Sequence, residues 1–168
     1  MGSEKWEVGS EKWEVKMKND QYFIFSLEEM YYAMALPTIE RVLRAVELIP
    51  VAKMPESVLG LINVKGKIIP VVNIRKQLGL PDRKMDVDDR IIISQRSEQT
   101  IAFIVDEVEG IADQSFKISS EDWHYNISGQ IFPQMEKHIE GAGKYKNQTV
   151  VIYNIHKLFS VEDLICSE

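Results

Sequence analysis

The sequence predicts a mainly β protein made of two similar halves. Three observations support this prediction: the apolar stretches are short, turn residues separate them at close spacing, and one strand–turn–strand segment recurs later in the chain. Short apolar runs bounded by turn residues are typical of strands in barrels or sandwiches. With 168 residues, 45% of them hydrophobic and 27% charged, the chain is long enough to form one domain with its own core.

The first half begins with a clear strand. Tyr22–Leu27 (YFIFSL) is densely apolar and aromatic, and Tyr31–Leu36 is predicted to complete a hairpin with it. Pro37-Thr38 ends the hairpin, and Thr38–Leu43 is predicted to start as a short helical turn that leads into a strand. Val46–Val51 contains a proline, which suits an edge strand or a strand end.

The second half contains a second hairpin. Leu80–Asp89 is charged and contains a proline, so it is predicted to be a loop between the halves. Arg90–Ser94 and Thr100–Val105 flank a polar turn and are predicted to pair. Val108–Ile118 is predicted to be extended, whereas Glu121–Phe132 has no clear period and is predicted to be irregular.

The recurring segment indicates an internal duplication. Gly60–Lys76 aligns with Gly141–Lys157, and five of the seventeen aligned positions are identical. In each copy a glycine begins a strand, a tight turn follows, and an asparagine precedes a short helix that its side chain is predicted to cap. The turns are Lys65-Gly66-Lys67 and Lys146-Asn147-Gln148, the caps are Asn73 and Asn154, and Gly79 and Ser160 occupy the equivalent helix ends. We therefore expect two packed β halves, each closed by a short helix.

The charge and cysteine content exclude several classes of protein. The formal net charge of −6 argues against nucleic acid or an anionic membrane as a partner, because both require a basic surface. The single cysteine, Cys166, cannot form an internal disulfide and is predicted to be packed rather than reactive. Because the sequence has neither a secretory signal nor a long apolar stretch, a cytoplasmic location is expected.

The N-terminal residues form a tandem repeat. GSEKWEV occurs at Gly2–Val8 and again at Gly9–Val15. We interpret residues 1–18 as an added or duplicated leader that is disordered, and residues 19–168 as the folded domain. An alternative remains open, because EKWEV alternates in polarity and could form an added strand that pairs with a neighbour.

No phosphate-binding, metal-binding or catalytic motif in the sequence is complete. Gly141–Lys144 (GAGK) resembles a phosphate-binding loop, but His138 and Tyr145 occupy positions where that motif needs Gly and Ser or Thr. The histidines at positions 124, 138 and 156 lack metal-ligand spacing with one another or with Cys166. No nucleophile has an evident base beside it, so we predict no catalytic residue, no metal and no cofactor.

An acidic cluster follows the second hairpin. Asp106, Glu107 and Glu109 lie at the predicted end of a strand. They could bind a cation, but a solvated rim is the simpler interpretation and the one that we favour.

Three linked motifs resemble those of the CheW family of chemotaxis coupling proteins. They are GLINVKGKIIPVVNIRKQLGL (Gly60–Leu80), FIVDEVEGI (Phe103–Ile111) and HIEGAGKYKNQTVVIYNIHKLF (His138–Phe159). Their order and spacing resemble the family from about Tyr22 to Phe159. The resemblance implies two SH3-like five-stranded β-barrel subdomains packed around a shared hydrophobic seam, with a few short helices.

The resemblance also implies a function. Proteins of this family are adaptors without catalysis in two-component signalling, and they join the cytoplasmic helical tip of a chemoreceptor to the regulatory domain of a chemotaxis histidine kinase. This chain is accordingly expected in the cytoplasm, recruited to membrane receptor arrays. Two alternatives remain: a CheW-like interaction module of another signalling pathway, or a small-ligand-binding β-barrel.

Seven residues are expected to bind partners. Ile39, Arg41, Val42, Lys65 and Gly66 are candidates for one face, and Val105 and Val108, near the seam, are candidates for a groove against a receptor helix.

The sequence departs from the family pattern in three ways, at four positions. Lys65 replaces the usual arginine and keeps the charge without the planar fork. Arg41 stands where a glutamate is usual, with Glu40 beside it, so two cations would repel unless Glu40 intervenes. Asn73 and Asn154 replace the usual aspartate caps.

Overall fold

A computed structural model describes residues 21–96, 99–118 and 139–159. Its ten strands are β1 Gln21–Leu27, β2 Met30–Ala35, β3 Ile39–Arg44, β4 Val58–Val64, β5 Lys67–Val72, β6 Arg90–Arg96, β7 Gln99–Val105, β8 Glu107–Asp113, β9 Ile139–Tyr145 and β10 Gln148–Tyr153. The helices α1 Ile74–Gln77 and α2 Ile155–Leu158 are short, and single 3-10 turns cover Leu36–Thr38 and Gln114–Phe116.

The strands form two five-stranded sheets, which we call sheet one and sheet two. Sheet one has the order β8-β1-β2-β10-β9, and sheet two has the order β3-β6-β7-β5-β4. Neighbouring strands are antiparallel except for β2 with β10 and β5 with β7, which are parallel. The two halves of the chain therefore exchange hairpins. The β1–β2 hairpin of the first half joins β8–β10 in sheet one, and the β6–β7 hairpin of the second half joins β3–β5 in sheet two.

Each sheet closes into a barrel by a single bridge between its edges. Ile49, which follows β3, pairs with Leu61 of β4, and Lys117, which follows β8, pairs with Gly143 of β9. Each bridge pairs backbone groups of one residue on β4 or β9, while β3 and β8 remain edge strands. We refer to the closed sheets as barrel one and barrel two.

Strand alternation divides the buried side chains into three clusters. In β1, Ile24 lies inside barrel one, whereas Phe23 and Phe25 belong to a cluster shared by both sheets. In β6, Ile91 lies inside barrel two and Ile92 belongs to the shared cluster. We call the shared cluster the seam. Because the central strands are buried on both faces, they are continuous apolar runs in the sequence.

The predicted duplication is confirmed by the pairing of the strands. Gly60 pairs with Val71 in β4–β5, and Gly141 pairs with Ile152 in β9–β10, with a register shift beside each pair. Both turns contain two residues with positive φ: Lys65 (52°) and Gly66 (86°) in one, and Lys146 (50°) and Asn147 (65°) in the other. The two hairpins therefore share their register and their turn geometry.

The predicted capped helix follows β5. The Asn73 side chain accepts a hydrogen bond from the Lys76 backbone N–H at 3.2 Å. Gly79 follows the helix with φ of 72°, the left-handed conformation that ends many helices. The side-chain cap at Asn154 stays a prediction.

Four sequence predictions need correction. The helical turn covers Leu36–Thr38, because Pro37 suits a first turn, and the strand begins at Ile39. The Val46–Val51 segment pairs only through Ile49. The loop at residues 80–89 lies between two elements of sheet two, so it separates the repeats but not the barrels. The strand predicted from residue 108 onward ends at Asp113 and is followed by a 3-10 turn.

Several predictions fall outside the described residues. They concern the leader, the irregular segment at residues 121–132, the histidines at positions 124 and 138, Ser160 and Cys166. The structure does describe the backbone of residue 156, but not its side chain. In the described part of the chain, no helix has the length and apolar character needed to span a membrane.

Candidate partner-binding surfaces

The edge strand β3 carries an apolar margin beside the seam. Val42 pairs with Ile92, which lies in the seam, and Val42 is 37% exposed. Ile39 packs against the seam and is partly buried. A register shift between Ile39 and Arg41 turns both apolar residues to the seam side. We call Ile39 and Val42 the β3 margin.

The edge strand β8 carries the equivalent margin on barrel one. Val108 pairs with Phe25 and Ile111 pairs with Phe23, and both phenylalanines lie in the seam. Val108 is 37% exposed and Ile111 is 55% exposed. We call Val108 and Ile111 the β8 margin. Sequence reasoning missed Ile111, because residues three apart lie on opposite faces of a regular strand, and only the register shift between Ile24 and Phe25 brings Val108 and Ile111 to one face.

Val105 is not a surface residue. Its side chain is fully buried in the seam at the end of β7, three residues before the exposed Val108. The expectation that Val105 contacts a partner is therefore wrong for the folded chain. The two valines differ because β7 ends at Val105 and the chain crosses from sheet two to sheet one before Val108.

The predicted polar contacts lie exposed on barrel two. Arg41 is on β3, and Lys65 and Gly66 form the β4–β5 turn. The Gly66 N–H donates a hydrogen bond to Asn63 Oδ1 at 2.9 Å, which holds the turn. Within the described residues, Arg41, Glu40 and Lys65 form no ion pair, so relief by Glu40 is not observed, and the repulsion between Arg41 and Lys65 stays a prediction. Both cations are available to a partner.

The outer side of the β4–β5 hairpin is an apolar surface that sequence reasoning missed. Ile49, Leu59 and Ile68 are 44%, 46% and 51% exposed. At the equivalent hairpin of barrel one, Ala142 and Val151 are buried in the seam cluster. We call Ile49, Leu59 and Ile68 the β4–β5 face. The sequence did contain a signal for this face. Nearly every position of β5 is apolar, although a strand with one buried face needs an apolar residue only at every second position.

The acidic cluster is not simply a solvated rim. Asp106 forms an ion pair with Arg75 and a second one with Arg83 at 2.6 Å. Its carboxylate also accepts the Glu28 backbone N–H at 2.9 Å. Glu109 accepts the Ser26 hydroxyl at 3.0 Å. Sequence reasoning therefore erred about Asp106 and missed Arg75.

The ion pairs shift the pKa values of the groups that they join. Burial would raise the pKa of Asp106, but the hydrogen bond from the Glu28 N–H and the guanidinium groups of Arg83 and Arg75 lower it further than burial raises it. Hydrogen bonds to Asp89 and Asp106 raise the pKa of Arg83. Asp106 is therefore a carboxylate at neutral pH. No cluster of three or more His, Cys, Asp or Glu among the described residues could hold a metal ion.

The concave surfaces do not favour a ligand-binding barrel. Both barrel interiors are filled by side chains, with Ile62 and Ile69 in one and Ile24 and Ile152 in the other. An open cleft beside α1 is lined by four cations, of which all but Lys84 are already paired with other described residues of the chain. The pairs are Arg75 with Glu28 and Asp106, Lys76 with Glu56 at 2.7 Å, and Arg83 with Asp89 at 2.8 Å. A ligand that bound one of these three paired cations would have to displace its existing partner.

Both barrels are filled by side chains, and each carries an exposed apolar margin. The family model described as a CheW-like domain matches residues 21–163, and the chain belongs to this family. The family consists of scaffold and coupling proteins rather than enzymes, so the predicted family and the predicted absence of catalysis are confirmed.

Individual relatives agree with this assignment. The chemotaxis protein CheW of Thermotoga maritima is 34% identical over 97 residues, 56% of this chain and 62% of that protein, so the alignment spans less than two thirds of it. The chemotaxis protein CheW of Treponema pallidum is 23% identical over 154 residues, 87% of each chain. The crystal structure of the scaffolding protein TtCheW from Thermoanaerobacter tengcongensis matches with a TM-score of 0.67 and 27% identity, covering 86% of this chain and 95% of that one. The predicted fold class is confirmed.

Proposed function

We propose that this chain is a non-catalytic adaptor that couples a chemoreceptor to a chemotaxis histidine kinase in two-component signalling. The observation that carries the proposal is the pair of exposed apolar margins on the two barrels, joined through one buried seam. An adaptor needs two surfaces on one body, each with an apolar centre and a polar rim. In this proposal residues 19–168 form the adaptor, residues 1–18 are a leader, and the protein works in the cytoplasm at membrane receptor arrays.

Barrel two carries the proposed kinase surface. The β3 margin and the β4–β5 face supply the apolar area, and Arg41, Lys65 and Gly66 lie at its rim. The partner is the kinase regulatory domain, for which the family implies a related double barrel. Specific interfaces bury about 800 Å² per partner, more than one margin offers alone. The proposal therefore includes the β4–β5 face, which continues from the Lys65–Gly66 turn.

Barrel one carries the proposed receptor surface. Val108 and Ile111 form an apolar strip beside the covered seam, and Met30, 53% exposed, lies at the end of the neighbouring hairpin. A strip of this kind suits the apolar side of a helix, which contacts a groove through residues spaced at helical intervals. The partner is the cytoplasmic helical tip of a receptor. Val105 is buried beneath this surface, so in this proposal it supports the surface by packing and does not contact the partner.

The test separates the two surfaces. Val42→Asp and Val108→Asp are titrated against a purified receptor tip and a purified kinase regulatory domain by calorimetry. Loss of one buried apolar anchor costs about 1–2 kcal/mol, so we expect about a tenfold weaker affinity for the kinase in Val42→Asp and for the receptor in Val108→Asp. Val87→Asp, at a loop position that is 85% exposed, is the control and should bind both partners normally.

Two results would contradict the proposal. If the folded wild-type chain binds neither partner, it belongs to another signalling pathway. If both variants lose both partners equally, the surfaces are not separate.

A further inference from the structure

One arginine spans the junction between the two barrels. Arg75 lies on α1, directly after β5 of sheet two, and only 7% of its surface is exposed. It forms ion pairs with Glu28, in the β1–β2 turn of sheet one, and with Asp106, the residue that joins β7 of sheet two to β8 of sheet one. Its planar guanidinium group contacts each carboxylate through a separate nitrogen.

Further charged residues extend the network away from Arg75. Arg83 donates to Asp106 at 2.6 Å and to Asp89 at 2.8 Å. Asp89, 3% exposed, also accepts the Asp86 backbone N–H at 2.8 Å. Among the ion pairs of the described residues, those that reach sheet one or the crossover all include Glu28 or Asp106, while Lys76–Glu56 stays within barrel two.

The network and the seam contribute in different ways to the contact between the barrels. Apolar burial in the seam is non-directional, so it favours contact without choosing one angle. Charge-assisted hydrogen bonds are directional, and a buried ion pair adds little net stability compared with an apolar replacement. Directional bonds across the junction therefore contribute to orientation more than to adhesion.

We propose that Arg75 is a positioning residue that sets the angle between the two barrels and so places the receptor surface. Both of its carboxylate partners adjoin that surface: Glu28 is two residues before Met30, and Asp106 is two residues before Val108. A change in the position of either carboxylate would move an exposed apolar residue. The orienting role is independent of the partners, whereas its consequence for receptor binding rests on the proposed function.

Distance measurement by pulsed electron resonance tests the orienting role without any partner. Spin labels are attached to Arg44→Cys on β3 and Lys144→Cys on β9, both exposed, in a Cys166→Ser background. Arg75→Met is expected to shift or widen the distance distribution between the barrels. Lys76→Met, which removes a cation from the same helix but breaks only a pair within barrel two, is expected to leave the distribution unchanged. Arg75→Lys should lie between them, because one ammonium group cannot reproduce the fork.

An unchanged distribution in Arg75→Met would overturn the proposal, whatever happens to the melting temperature. If that variant does not fold, Glu28→Gln and Asp106→Asn replace it, because each removes one carboxylate partner of Arg75. Their distance distributions are compared with that of Lys76→Met in the same way. In receptor titration, Arg75→Met should bind the tip about tenfold more weakly than Lys76→Met. A shifted distribution with normal receptor affinity would overturn the coupling alone, and failure of the wild-type chain to bind the tip concerns only the proposed function.

Discussion

Reversal of the charge at Lys65 tests the proposed kinase surface with little effect on the fold. Lys65 lies exposed in the β4–β5 turn with φ of 52°, and it forms no ion pair with the described residues. A glutamate at this position would meet the same backbone strain as lysine. The free energy of unfolding of Lys65→Glu should therefore change by less than about 0.5 kcal/mol, which is a change in melting temperature of about 1–2 °C.

The expected loss of affinity follows from the energy of an exposed ion pair. One such pair contributes about 0.2–1 kcal/mol, and charge reversal replaces an attraction by a repulsion of similar size. The change in binding free energy is then about 0.4–2 kcal/mol, a factor of about 2 to 30 in affinity. The effect should shrink as salt is raised, because the Debye length falls to about 3 Å at 1 M.

The equivalent turn on barrel one provides a matched control. Lys146 has φ of 50° in the β9–β10 turn, so Lys146→Glu makes the same substitution in the same geometry. Calorimetric titration with the kinase regulatory domain at two salt concentrations should show weaker binding for Lys65→Glu only. A large drop in melting temperature with unchanged affinity would refute the surface assignment, and equal losses in both variants would mean that net charge, not position, determines binding.

Three further predictions concern stability. Val105→Ala should lower the free energy of unfolding by about 2 kcal/mol in chemical denaturation, whereas Val108→Ala at the exposed margin should lower it by less than about 1 kcal/mol; equal effects would contradict the burial difference. Because the pKa of Asp106 is lowered by folding from its ordinary value of 3.8, its contribution is present above that value and is lost as the pH falls through the folded pKa. Asp106→Asn should flatten the stability–pH curve below pH ~4, and an unchanged curve would show that other carboxylates determine it. Gly143→Ala should destabilise by about 1–3 kcal/mol, because its Cβ would lie 2.5 Å from the Phe116 ring and 2.7 Å from the Phe116 backbone oxygen. Unchanged stability would mean that the 3-10 turn carrying Phe116 shifts at little cost.

The strands were predictable because local rules determine them. Tyr22–Leu27 is apolar at almost every position, and both of its faces are buried, one in barrel one and one in the seam. The duplicated hairpin was predictable because positive φ at Gly66 and Asn147 is a property of the turn itself. The closure of each barrel was not, because the bridges at Ile49 and Lys117 join segments with little pattern of their own.

The surfaces were predictable only in part, because burial depends on contacts that are distant in sequence. Val105 and Val108 are alike in a single sequence, and only the crossover between sheets separates a core residue from an exposed one. Arg75 resembles a surface cation of a short helix until the β1–β2 turn places Glu28 against it. Asp106 was noticed for its charge, but its partners come from three other parts of the chain.

The exchange of hairpins holds both proposed partner surfaces on one body. Because β1–β2 belongs to the barrel that β8–β10 completes, neither half of the chain can form a barrel alone. Among the described residues, the barrels are connected by the seam, by the crossovers at Leu36–Thr38 and Asp106, and by the Arg75–Glu28 ion pair. In the proposed function, a partner on the β4–β5 face and a partner on the β8 margin then contact two barrels that share one buried cluster. The distance between the two bound partners is consequently set by the fold rather than by a flexible linker, which is the property that an adaptor in an ordered assembly requires.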